Sequence, residues 1–403
     1  MIKVLKSLVV GPLEPYAAGF AAELERQGYT TWVAAKQVSL AAHLSRWMAA
    51  SGAGPGDLTS DVAERYALAR REAGYAGYRS VHALEPLLGY LRGLGAAPAA
   101  QPPEPTPAQD LLGRFQRYLV SERGITVATA ESYACFVGPL VGARLAPGGP
   151  GLEGLTAADV TAFVVASCPG MPKGSAKMTV TALRSLLGWL HLDGVLSEPL
   201  AWAVPSVAAW RLARLPQPLE PAQVKAMLDS CDRATANGRR DLAMLTLLAR
   251  LGLRAGEVAA LRLEDIDWRA GEITVCGKGR RSERLPLPAD AGEPLAAYLR
   301  DGRPRPPDGE RQVFLRVKAP HRPLTSSGVT QAVAAAGRRA GLGTVHAHRL
   351  RHSAATGMLR AGAGLPEIGQ VLRHRRLMST AIYAKTDTAA LRELARPWPG
   401  GAA

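Results

Sequence analysis

The sequence predicts a mainly α protein, with two N-terminal helical bundles ahead of an α-rich domain that holds one small antiparallel β-sheet. Three observations predict it. Apolar residues recur at helical spacing, as in 111–120, where Leu111, Leu112, Phe115 and Leu119 fall on one face. One stretch departs from that period: 272–287 (EITVCGKGRRSERLPL) sets Ile273 and Val275 against Leu285 and Leu287 around a Gly-Lys-Gly turn, the pattern of a β-hairpin. Pro/Ala-rich residues 96–106 and a second break at 211–217 read as linkers, leaving segments 1–95, 107–210 and 218–393 and a tail, 394–403.

The first two segments resemble each other. ALEPLLGYL at 83–91 faces ALRSLLGWL at 182–190, ERQGYT at 25–30 faces SERGIT at 121–126, and DLTSDV at 57–62 faces GLTAADV at 154–160. The matches keep their order, which points to a duplicated helical domain. Thr59 and Thr156, placed before Asp61 and Asp159, have the look of helix N-caps. In the third segment DLAMLTLLARLGL (241–253) is too apolar for a surface helix and reads as a buried one ending near Gly252. Tyr298, in the amphipathic EPLAAYLR, reads as packing.

Charge narrows the partner. The chain carries +15, and residues 211–403 hold 32 basic and 18 acidic residues, nearly all of that surplus. Such a surplus suits a polyanion, either nucleic acid or an anionic membrane face. The two N-terminal segments are near neutral, with 10 basic and 8 acidic residues in 1–95 and 7 and 8 in 96–210. No apolar run approaches the roughly 18 residues of a membrane span, and Leu8-Val9-Val10 is cut short by Gly11-Pro12, too short for a signal peptide. Cys135, Cys168, Cys231 and Cys276 lie far apart and read as small buried hydrophobes in a reducing compartment. Cytoplasm is the expected location, without membrane attachment.

Four places in the basic segment carry candidate chemistry. Tyr383 follows His374 and the cations Arg373, Arg375 and Arg376. A phenol with a pKa near 10 is a poor nucleophile at neutral pH, and positive charge with a nearby proton acceptor would activate it; an ordinary half-buried tyrosine is the alternative. In HRLRH (348–352), a helix would put His348 and Arg351 on one face with Arg349 between them. A guanidinium fork suits phosphate oxygens, and an imidazole can donate to them or move a proton. His348 and His352 also have the i, i+4 spacing of zinc ligands, but no glutamate lies between them and no cysteine nearby, so no metal is expected. Arg254, in LGLRAGEV, is either presented to a ligand or tied to Glu257 in a structural pair. Lys278 stands at the hairpin tip among Arg280, Arg281 and Arg284, in a chain with 40 arginines and 9 lysines. Lysine can give up its proton where arginine cannot, so Lys278 suits proton transfer to a leaving group; a further phosphate-contacting cation is the plainer reading.

Taken in order, these pieces resemble the catalytic domain of the tyrosine recombinase, or phage integrase, family. Members show an arginine in a GLRxxE context, a hairpin lysine, an HxxR box, a further His or Trp, and a tyrosine nine residues after it. Arg254 and Glu257 match the first element, Lys278 the second, His348 and Arg351 the third, and His374 and Tyr383 the last two. The family often has glycine before the His/Trp position, where this chain has Arg373. Residues 218–393 carry the resemblance, 107–210 is similar to the SAM-like core-binding domain that precedes it, and 1–95 looks like a second copy. The longer layout is similar to recombinases of mobile elements that work in sets.

The resemblance implies a site-specific recombinase that cuts and rejoins double-stranded DNA through a 3′-phosphotyrosine bond. Arg254, Arg351, His348 and His374 would hold the phosphate, Glu257 would position groups around Arg254, Lys278 would be the acid, and no metal, ATP or other cofactor would be needed. Arg280, Arg281, Arg284, Arg349, Arg373, Arg375 and Arg376 are expected at the DNA. The working form would be a homotetramer on two DNA sites, with related recombinases of the same element as further partners. A topoisomerase-like enzyme that nicks and reseals one duplex would use the same residues, and a non-catalytic DNA-binding protein on a decayed fold is the reading from another class.

Overall fold

The computed structural model describes residues 9–100, 104–207, 217–277, 282–306, 309–374 and 378–384. The chain divides into two compact units, one of Met1–Ala100 with Arg214–Ala403 and the other of Gln101–Ala213. Both are mostly helical, with one small sheet in the first.

The N-terminal part holds α1 (Glu14–Arg26), α2 (Thr31–Ala50), α3 (Ser60–Glu72) and α4 (Glu85–Gly93) around a core that includes Phe20, Leu44, Met48 and Leu88. The second unit holds α5 (Pro107–Ser121), α6 (Val127–Arg144), α7 (Ala157–Ser167) and α8 (Lys173–Leu192). Leu111, Phe115 and Leu119 of α5 are buried in its core, and Phe115 packs on Trp189 at 5.5 Å between ring centroids. Thr59 caps α3 and Thr156 caps α7, each hydroxyl accepting a main-chain N–H from three residues on. Thr30 and Thr126 hold the equivalent N-cap positions of α2 and α6. Gly28 takes the left-handed conformation that favours glycine (φ 81) and lies against the loop after Phe314, where a Cβ would push the His321 ring aside.

The remainder of the first unit contains α9 (Pro221–Asp229), α10 (Ala236–Arg250), α11 (Ala255–Ala260), α12 (Ala289–Asp301), α13 (Ser326–Arg339), α14 (Ala347–Arg360), α15 (Leu365–Val371) and α16 (Met378–Ala384). It also contains strands β1 (Ile266–Asp267), β2 (Glu272–Cys276) and β3 (Ser282–Pro286), antiparallel in the order β1-β2-β3. The expected hairpin is β2 with β3, Ile273 facing Leu285 in register, and Ile273, Val275, Leu285 and Leu287 turn into the core. β1 is too short to leave a period in the sequence. As expected, α10 is buried through Leu242–Leu248, and the chain turns after it at Gly252 (φ 58). Tyr298 is packing: it stacks on Phe314 at 5.5 Å, and its hydroxyl accepts the Leu315 N–H at 3.2 Å.

The cysteines depart from expectation. All four are free, but only Cys231 is buried; Cys168 is half-buried, and Cys135 and Cys276 are exposed. Cys276 ends β2 on the outward register, and Cys135 lies on the outer side of α6 beside Glu131 and Gly138. Among the described residues no helix is long and apolar enough to cross a membrane.

Replacing Tyr298 with Phe keeps the ring and strands the buried Leu315 N–H. We expect a loss of about 1–3 kcal/mol, read as an unfolding midpoint lower by a few degrees. An unchanged midpoint would mean that the hydroxyl contributes nothing.

Candidate active site

The site is assembled from α11, α14, the chain after α15, and α16. Arg254 stands at the N-cap of α11 with Glu257 at its third position. The Glu257 carboxylate accepts the Arg254 main-chain N–H at 2.8 Å and its Nη1 at 2.6 Å. It also accepts Nη2 of Arg373 at 2.7 Å, a pair whose side chains are 3% and 5% exposed. Burial pushes the Glu257 carboxyl up, but the Arg254 N–H and the Arg373 and Arg254 guanidiniums outweigh it and hold it below the usual glutamate value. The Arg254 side chain, 37% exposed, stays open to a cleft of about 600 Å³. Cys276, Gly277, Ser326, His346 and His348 also line that cleft.

Arg373 occupies the left-handed region (φ 55), a conformation that favours glycine. Its N–H donates to Gln370 O and the next N–H, of His374, to Gly369 O, both at 2.9 Å, which closes α15 in a Schellman-type turn. The turn delivers His374, whose Nδ1 lies 2.8 Å from Thr380 Oγ1 and whose ring stacks on Tyr383 within 8° of parallel. Arg351, one turn after His348 on α14, is 1% exposed. It donates Nη1 to Gly252 O and Nη2 to Leu372 O. Its Nε has no hydrogen-bond partner among the described residues.

Tyr383 is also 1% exposed, in a small cluster with Ala355, Ile368 and Leu372. Burial raises its pKa, and Arg351 and Arg254 pull in the opposite direction. Its hydroxyl lies 3.0 Å from Nδ1 of His352. The His352 and His348 rings meet edge-on at 4.5 Å. Burial, then His348 and Arg351, take His352 down to about 4. Burial, then Arg351 and Arg254, do the same to His374, also to about 4, and His348 is lowered by burial and the same two arginines. All three imidazoles are therefore neutral at pH 7 and act as hydrogen-bonding groups rather than cations.

Arg254, Glu257, His348, Arg351, His374 and Tyr383 thus lie on elements that converge on one site. Lys278, Arg280, Arg281, Arg375 and Arg376 lie outside the described residues, although Gly277, next to Lys278, lines the cleft. Among the arginines expected at DNA, Arg284 is exposed on β3, with Glu272 at 3.8 Å. Arg349 donates Nε to Gln217 O at 3.1 Å, which fastens the start of this part of the chain to α14. Arg373 is a correction: it is buried and committed to Glu257, so it organises the interior instead of offering a surface cation. His352 is the residue that sequence reasoning passed over. The HRLRH spacing showed it only as a zinc ligand, and the described residues contain no His/Cys/Asp/Glu cluster fit for a metal.

Residues 217–390 match the model of the phage integrase family. A putative integrase/recombinase, y4rA of Sinorhizobium fredii, is 41% identical over 97% of this chain and 96% of its own length. Tyrosine recombinase XerC of Salmonella typhi is 31% identical over 68% of this chain and 91% of its own. In fold, the chain is similar to XerH site-specific recombinase, solved in a post-cleavage complex with a palindromic difH substrate (TM-score 0.57, 19% identity, 73% of this chain and 97% of that one).

Glu257→Gln should destabilise the protein by about 3 kcal/mol at pH 7, because the buried Arg373 guanidinium loses its counter-charge. The folded-state pKa of Glu257 lies below the ordinary 4.5. Its contribution is therefore complete above pH 4.5 and fades as pH falls below that value. Unfolding curves of both proteins should converge in acid; a gap that ignores pH would rule out ion pairing as its source.

Proposed function

The chain belongs to the phage integrase family of tyrosine recombinases, and from that premise we propose a site-specific DNA recombinase that cuts and rejoins strands through Tyr383. The observation that supports this most is the placement of the phenol, stacked on His374 and bonded to His352, where Arg351 and Arg254 both act on its ionisation. In this reading Tyr383 Oη attacks the scissile phosphorus of double-stranded DNA, and a 3′-phosphotyrosine bond forms as the 5′-oxygen leaves. Arg254 and Arg351 hold the non-bridging oxygens, with His348 and His374 adding hydrogen bonds. Donors fixed in advance around the phosphate stabilise the charge that builds up there. Glu257 fixes the Arg254 guanidinium, and Lys278 protonates the leaving oxygen. The arginines and histidines do the charge stabilisation that a metal would otherwise supply, and no ATP is needed for religation, because the phosphotyrosine bond conserves the phosphodiester energy. The working assembly is a homotetramer on two sites, acting where the cell keeps its DNA.

A DNA duplex nicked near the cleavage site traps the covalent protein–DNA adduct. Wild-type protein should accumulate it and Tyr383→Phe should not; equal adduct from both would sink the assignment. Lys278→Ala should slow cleavage of ordinary DNA far more than of DNA with a 5′-thio leaving group, and equal slowing would refute the acid role. Strand exchange between two labelled duplexes is expected of a recombinase and not of an enzyme that reseals a single duplex. Binding should weaken steeply with salt; a flat dependence would count against the basic C-terminal part as the DNA grip.

A further inference from the structure

We propose that His352 is the base of the cleavage step, its Nδ1 taking the phenolic proton as Tyr383 attacks; this rests on Tyr383 being the nucleophile. The two atoms lie 3.0 Å apart with the rings inclined at 62°. At that distance the hydroxyl can donate to the lone pair of Nδ1 when the ring hydrogen is on Nε2. The neighbours are poorly placed for this task. His374 lies face to face with the phenol, and its Nδ1 is taken by Thr380. Arg351 and Arg254 have no lone pair to offer.

The step balances. The Oη–H bond breaks and its proton passes to Nδ1, the Oη–P bond forms, and the P–O5′ bond breaks with its electron pair left on the 5′-oxygen, which takes a proton from Lys278. Religation runs the same transfers backward: His352 returns the proton to the departing phenolate. The imidazole is neutral beforehand, since burial and its cationic surroundings suppress its charge. An incoming phosphate brings a negative charge, so the imidazolium is favoured as attack begins.

Single-turnover adduct formation on the nicked duplex tests this in the full chain. His352→Ala should form adduct about 10²–10⁴-fold more slowly, with DNA affinity unchanged. Added imidazoles should restore the rate, more strongly as their basicity rises. His352→Asn, which retains a polar acceptor without a base, should stay slow. A full or faster rate in His352→Ala, an Asn variant at wild-type rate, or no response to imidazole would overturn the proposal. The premise is tested separately: adduct from Tyr383→Phe removes both readings, whereas a silent Tyr383→Phe beside a fully active His352→Ala removes this one alone.

Discussion

A guanidinium taken out of water needs its donors satisfied, and Arg351 meets that demand in a way that binds the site together. Its two terminal nitrogens reach Gly252 O, just after α10, and Leu372 O, just after α15. Helices distant in sequence are thereby joined through one side chain on α14. The choice of residue 252 follows from the same contact. Its φ of 58 is left-handed, and a Cβ there would lie 2.5 Å from Cδ2 of Leu372. Glycine at 252, arginine at 351 and the turn at 372 therefore depend on one another, and the pocket that holds Tyr383 rests on all three.

The charge of the assembly is unbalanced. Arg254, Arg351 and Arg373 converge on a single carboxylate, Glu257, which accepts from two of them. Burial with Arg254 close by brings even Arg351 down to about 10, and the same field keeps His374 and His352 neutral. A surplus of cations in a half-buried place is costly in the free protein. In the proposed function a phosphodiester would relieve that cost, and the free energy of assembling the cations would be recovered on the ligand. Arg254 is the guanidinium among them left partly open to the cleft.

Most of the fold was legible because burial writes itself into periodicity. The hairpin showed as period two around a Gly-Lys-Gly turn, α10 as an unbroken apolar run, and the caps of α3 and α7 as Thr59 and Thr156. The order Arg254, His348, Arg351, His374, Tyr383 was legible as spacing. What spacing could not show was direction. Arg373 and Arg349 are cations beside cations, and sequence gave no sign that one turns inward to Glu257 and the other back to Gln217 O. His352 shares the i, i+4 face of His348, yet its partner lies 31 residues on, across a turn whose geometry only the backbone reveals. Cys276 was misjudged for a related reason: its outward face is set by the register of β2 with β3, not by its own hydrophobicity.

Arg373 shows how a departure from the family's glycine is accommodated. A side chain in the left-handed region costs about 1–2 kcal/mol, and glycine would avoid that cost. Glycine would also leave Glu257 with one guanidinium instead of two and remove the buried pair that fixes the start of α11. The arginine closes α15 through the same two main-chain bonds that glycine would make and then reaches Glu257 with its side chain. The backbone strain is offset by a charge-assisted hydrogen bond in a dry setting, where such bonds are strongest. One residue thus sets the direction in which His374 meets Tyr383 and the firmness with which Glu257 holds Arg254. The two halves of the site, α11 on one side and α15 with α16 on the other, are coupled through its side chain.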